Sequence, residues 1–120
     1  MCSSDLLGDG SQAKSYLYIE DCVHAFLAAG RGADGFEAYN VGSEDQVNVR
    51  EMAAVVSKSM GLKPMLHFTG GVDGGRGWKG DVKSMLLDVH KIRRVGWRPS
   101  GNSLSAVQRT VSAMLKFSAP

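Results

Sequence analysis

Two cysteines, Cys2 and Cys22, are all that this chain of 120 residues contains. They are too few for a disulfide framework and lack metal-ligand spacing, which fits a reducing compartment. No apolar run is long enough to span a bilayer, and no basic start with an apolar stretch and small-residue cleavage site is present. The expected compartment is therefore the cytoplasm. The histidines His24, His67 and His90 never pair at i and i+4, so no metal site is expected. Nucleophile elbows, paired acid/base carboxylates and Cys/His pairs are also missing, which leaves catalysis by this chain alone without candidates. With no repeat, long linker or low-complexity tract, the length bounds the chain to one domain or less, and 43% hydrophobic residues suffice for a modest core.

A small net charge conceals an uneven distribution. Residues 1–75 hold five Lys/Arg against ten Asp/Glu, whereas residues 76–120 hold nine against two. Such asymmetry is one mark of nucleic-acid binding. Here the cations are scattered through amphipathic segments without the interleaved aromatics of a base-stacking platform, so a nucleic-acid partner is not expected.

What the chain does have is glycine, concentrated in residues 70–81, where six of twelve positions are Gly. Glycine at this density costs chain entropy and suits backbone that turns with φ > 0 or passes close to a ligand. The same loop carries Arg76, whose planar fork matches phosphate or carboxylate, and Lys79, a point charge. Glycine N–H groups would add neutral donors, so the loop is a candidate anion site. Its Gly75-x-Gly77-x-x-Gly80 matches the dinucleotide fingerprint literally. The context fails, because several loop residues follow Phe68 and no strong strand follows Asp88, so a dinucleotide site is not expected here.

Around this loop the pattern is α/β. A turn at residues 8–12 leads to a strand at 15–19. Asp21 is then placed to cap a helix carrying Val23, Phe26 and Leu27 and ending at Gly30. A short strand is expected at 36–41. Asn48 and Glu51 form a capping box ahead of Val49, Met52, Ala53, Val56 and Met60, one buried helical face stopped by Gly61. Residues 64–68 read as a strand and 84–87 as a brief apolar segment. Asp88 is placed to cap a helix over 89–95, and a last helix over 104–117 is expected to bury Leu104, Val107, Val111, Met114 and Leu115.

Several of these pieces carry a resemblance. The run Gly8-Asp9-Gly10-Ser11-Gln12-Ala13-Lys14-Ser15-Tyr16-Leu17-Tyr18-Ile19-Glu20-Asp21 resembles the signature that begins the C-terminal half of extended short-chain dehydrogenases/reductases, the NAD-dependent sugar-nucleotide epimerases and dehydratases related to UDP-glucose 4-epimerase. Tyr39-Asn40-Val41-Gly42, Gly80-Asp81, and Asp88-Val89-His90-Lys91 with Gly96-Trp97-Arg98-Pro99 follow in the family's order. The resemblance implies an α/β fold of short strands with about four helices, the C-terminal portion of a Rossmann-type enzyme without its cofactor-binding domain. Residues 7–120 would form this portion. Residues 1–6 resemble a translated sequencing adapter and are set outside the fold, with the native chain expected to continue upstream.

The resemblance further implies a homodimeric parent that uses NAD, with epimerase, dehydratase, decarboxylase or reductase chemistry. The family's catalytic Tyr-x-x-x-Lys is missing: Tyr16 is followed four later by Glu20, Tyr18 by Cys22 and Tyr39 by Ser43. By analogy Lys14 stands where many members place a phosphate-binding arginine. Arg76 resembles the second arginine but lies five residues before Asp81 rather than three, the nearer position being Trp78. The substrate-binding candidates are thus Gln12, Lys14, Arg76 and Asp81, gripping a nucleoside diphosphate-sugar, with no cofactor held by this portion itself. Gln12 would hydrogen-bond sugar or phosphate, and Asp81 would accept from a sugar hydroxyl or orient Arg76. Loop-stabilising hydrogen bonds are the alternative for both. Trp78 could stack on a base, but packing under the loop is the expected role. The competing function is a freestanding anion- or nucleotide-binding module without redox chemistry.

Overall fold

The clearest local instruction in the chain is obeyed closely. In the computed structural model, which describes residues 3–31 and 34–118, Asn48 Oδ1 accepts from the Glu51 N–H at 2.9 Å. Glu51 Oε2 accepts from the Asn48 N–H at 3.0 Å. This reciprocal box starts helix α2, Val49–Ser59, and Gly61 follows it with φ +68°. Its apolar face is only half-buried, packed against the last helix, and Met60 remains 46% exposed. The other helices are α1, Ile19–Arg31, α3, His90–Arg94, and α4, Ser103–Ser118.

Among the described residues five short strands accompany them: β1 Ser3–Leu6, β2 Ala13–Lys14, β3 Val47–Asn48, β4 Met65–Phe68 and β5 Ser84–Met85. β1 pairs parallel with β4, Ser3 opposite Met65 and Leu6 opposite Phe68. β2 lies between β3, antiparallel, and β5, parallel. Residues 3–6, set outside the fold in the sequence reading, therefore take part in a sheet. Cys2 lies outside the described residues.

Other differences have physical causes. The strand expected at 15–19 does not form: the ladder is made one step earlier, by Ala13 and Lys14 of β2, residues 15–18 find no ladder partner, and Ile19 already opens α1. Asp21 consequently falls inside the first turn of α1 instead of capping it, buried at 5% exposure. Its carboxylate accepts from Ser100 N–H at 3.1 Å and Ser100 Oγ at 2.9 Å. Residues 36–41 form no strand, since an extended segment becomes a ladder only beside a partner. Side chains hold this segment instead, with Lys91 Nζ donating to Ala38 O at 2.8 Å and Asn40 Nδ2 to Asp88 O at 3.0 Å. α4 buries Ser103 and Ala106, while Leu104, Val107 and Val111 are half-buried and Met114 and Leu115 are exposed.

The core is small: Ala25, Val89, Ile92 and Trp97, with Leu17, Ala28, Tyr39, Val41 and Val95 packed around it. The Trp97 indole N–H donates to Asp21 O at 3.1 Å, which lets a large amphipathic ring be buried without an orphaned donor. Val23, Phe26 and Leu27 of α1 are exposed, as are Phe36 and Phe117, and no described element covers the α1 face. Among the described residues no helix is long and apolar enough to cross a membrane.

Candidate functional site

The register of the three-stranded sheet builds the site. Ala13 opposite Ser84 and Lys14 opposite Met85 draw the end of the glycine loop alongside the start of β2, where the Ala13 N–H donates to Lys83 O at 2.8 Å. Asp81 is thereby delivered to Lys14, 67 positions earlier. Lys14 Nζ donates to Asp81 Oδ1 at 3.0 Å, and the Gly77 N–H donates to Asp81 Oδ2 at 3.2 Å. Asp81 is buried at 5% exposure. The Lys14 ammonium, seconded by the Gly77 N–H, holds its carboxyl below the ordinary aspartate range despite the opposing effect of burial.

The two glycine-rich segments are sewn to each other. Asp9 Oδ1 accepts from Ser11 N at 2.8 Å and Ser11 Oγ at 2.6 Å, a local turn that also lowers the Asp9 pKa. The Asp9 N–H donates to Gly75 O at 3.0 Å, and Arg50 Nη2 to Asp9 O at 2.5 Å. Gly8, at φ +92°, has no room for a Cβ because the Gln12 amide fills that space, so glycine is required there.

Of the four sequence candidates, the structure brings all into one neighbourhood but gives them different tasks. Lys14 keeps donor capacity: an ammonium has three N–H bonds, and one points at Asp81. Arg76 turns inward, Nε donating to Asp81 O at 3.0 Å and Nη1 to Asp73 O, so much of its fork staples the loop. Gln12 is buried at 5% exposure, its Nε2 donating to Leu7 O at 3.2 Å while its Oε1 is a buried acceptor with no protein partner. Asp81 orients Lys14 and the loop backbone. The literal glycine fingerprint is folded as a hairpin-like turn, Val72 and Arg76 exchanging backbone hydrogen bonds at 2.9 and 2.8 Å, and no helix opens at Gly80.

Trp78 departs from the sequence expectation. It does not pack under the loop but stands 57% exposed, its ring centroid 5.8 Å from Lys14 Nζ. Sequence reasoning also missed Lys83, which donates to Gly74 O and lies 3.8 Å from Asp9 Oδ2. Its place two residues after Asp81 and just before β5 was the available signal. Chemically, the assembly offers a held cation and an exposed aromatic face beside it, the means to bind and orient an anion.

No family model matches the chain. It is 29% identical over 112 residues to the UDP-glucose 4-epimerase of Mycolicibacterium smegmatis, spanning 91% of this chain and 33% of that protein. A crystal structure of UDP-galactose 4-epimerase superposes with a TM-score of 0.79 at 35% identity, over 98% of this chain and 36% of that one. Its homologues are sugar-nucleotide epimerases and dehydratases of the extended short-chain dehydrogenase/reductase family. The chain spans about a third of their length, in agreement with the C-terminal portion read from the sequence motifs. The UDP-glucose 4-epimerase of Thermotoga maritima, solved with UDP-glucose, superposes with a TM-score of 0.79 at 25% identity, over 96% of this chain and 35% of that one. A dTDP-glucose 4,6-dehydratase of Bacillus anthracis, solved with NAD, shares the fold at 18% identity and a TM-score of 0.78, over 98% of this chain and 36% of that one.

Proposed function

We propose that this chain is the substrate-gripping portion of an NAD-dependent sugar-nucleotide epimerase or dehydratase, holding a nucleoside diphosphate-sugar by its diphosphate. The observation that carries the reading is the Lys14–Asp81 pair at the mouth of the glycine loop, where one cation is fixed by a buried carboxylate at 3.0 Å and still has donors to offer. A diphosphate asks for a cation with donors to spare, and Lys14 on β2, beside the glycine loop, supplies one. Relatives whose names specify UDP-glucose and UDP-galactose support that choice of ligand class.

The portion contributes positioning, the term that converts an encounter into an oriented complex. Hydride transfer by NAD and proton transfer belong to the rest of a homodimeric cytoplasmic enzyme, an assignment that rests on the family resemblance. Residues 7–120 form the substrate-binding part in this reading, and Ser3–Leu6 pair onto it as β1.

Calorimetry of the purified chain with UDP-glucose and with uridine tests the proposal. UDP-glucose should bind and uridine, which lacks phosphate, should bind at least tenfold more weakly. Assayed with NAD, the same preparation should show no epimerase turnover. Equal affinity for both ligands, or turnover by this chain, would overturn the reading.

A further inference from the structure

Trp78 is a large aromatic side chain that stands exposed at the site. The chain's other tryptophan, Trp97, is 5% exposed and hydrogen-bonded, whereas Trp78 is 57% exposed. Its backbone is nevertheless fixed. The Asp81 N–H donates to Trp78 O at 3.1 Å, the preceding Gly77 N–H donates to Asp81 Oδ2 at 3.2 Å, and Arg76 Nε donates to Asp81 O at 3.0 Å. The indole is thus held out toward water from a pinned loop, with a bare aromatic surface beside the Lys14 ammonium, 5.8 Å from its ring centroid.

We propose that the Trp78 indole is the stacking platform for the nucleobase of a nucleotide whose phosphates are held by Lys14. This rests on the anion-gripping role proposed above. A phosphate on Lys14 lies within a few bonds of the ribose and base, and every base offers a π-face to an indole whatever its hydrogen-bonding edge. Stacking of this kind tolerates different bases, so Trp78 would add affinity for the nucleoside end without fixing which base is taken. The exposed face is then a ligand surface beside the Lys14 ammonium.

Binding of UDP, inorganic pyrophosphate and glucose 1-phosphate is measured for the 120-residue chain and for Trp78→Ala and Trp78→Phe. Trp78→Ala should weaken UDP about tenfold and leave pyrophosphate unchanged, while Trp78→Phe retains affinity within about threefold. UDP should also quench the emission of Trp78, a change lost in Trp78→Phe, where Trp97 alone reports. Unchanged UDP affinity in Trp78→Ala overturns the inference and leaves the anion-gripping role standing. An equal loss for pyrophosphate makes Trp78 a structural residue and also overturns it. A Trp78-dependence for glucose 1-phosphate as large as that for UDP assigns the platform to the sugar and refutes the base assignment. No binding of either UDP or pyrophosphate by the unsubstituted chain defeats both readings together.

Discussion

Lys14 Nζ lies 3.0 Å from Asp81 Oδ1, and one parallel strand pairing brings the two residues together, Lys14 on β2 and Asp81 just before β5. The carboxylate, almost fully enclosed, also accepts the Gly77 N–H. Removing it leaves an ammonium and a loop N–H without their acceptor. Asp81→Ala should therefore lower the thermal midpoint more than Asp34→Ala, a change at an exposed position. Paired melts by circular dichroism check this, and equal midpoints would contradict it.

The acid side of the stability curve should report the same pair. Asp81, Asp9 and Asp88 all have pKa values lowered by folding. The main causes are the Lys14 ammonium for Asp81, the Ser11 hydroxyl and N–H for Asp9, and the His90 N–H for Asp88. A depressed carboxyl contributes stability that is complete above its unfolded value, near 3.8, and is lost as pH falls through the lower folded value. Denaturant midpoints should hold steady down to about pH 5 and drop below about pH 4, with a shallower drop in Asp81→Asn. Tyr16 is shifted the other way, its phenol raised by burial, so its contribution should disappear as pH climbs past the ordinary tyrosine value of 10.0.

Two glycines should respond oppositely to alanine. Gly8 sits at φ +92° with the Gln12 amide where a Cβ would go, so Gly8→Ala should destabilise by about 1–3 kcal/mol and weaken anion binding as Gln12 is displaced. Gly30 lies within α1 with nothing inside 4 Å of its Cβ position. Gly30→Ala should stabilise by about 0.5–1 kcal/mol. Urea melts of both variants decide, and a stabilised Gly8→Ala would refute the packing described for the turn.

The uncovered apolar residues separate a dependent portion from a freestanding module. Phe26 at 69%, Phe36 at 96% and Phe117 at 91% exposure are more than a small monomer usually shows. The chain should bind a hydrophobic dye in its native state and self-associate on concentration, and Phe26→Lys should reduce both. Sharp, cooperative unfolding of a monomer without dye binding would instead favour the freestanding module.

Where local chemistry suffices, the sequence was legible. The Asn48–Glu51 box, the Gly61 stop and the strand at Met65–Phe68 follow from residues within a few positions of one another, whereas Gly30, expected to end the first helix, lies inside α1. What could not be read depends on partners far along the chain. Residues 36–41 have a strand's composition but no ladder partner, and Asp21 looks like a cap until Ser100, 79 positions away, claims its carboxylate. At the site, Lys14 and Asp81 could be named from the motif. The inward turn of Arg76 and the exposure of Trp78 follow from how the loop folds on itself, which glycine content alone does not reveal.

The most direct test of the account is a titration of UDP-glucose into the chain and into Lys14→Met and Lys14→Arg. Lys14→Met should bind at least tenfold more weakly, as loss of a charge-assisted hydrogen bond requires, while Lys14→Arg stays within a few fold. Unchanged affinity in Lys14→Met would mean that the diphosphate is not held where the structure places its best cation.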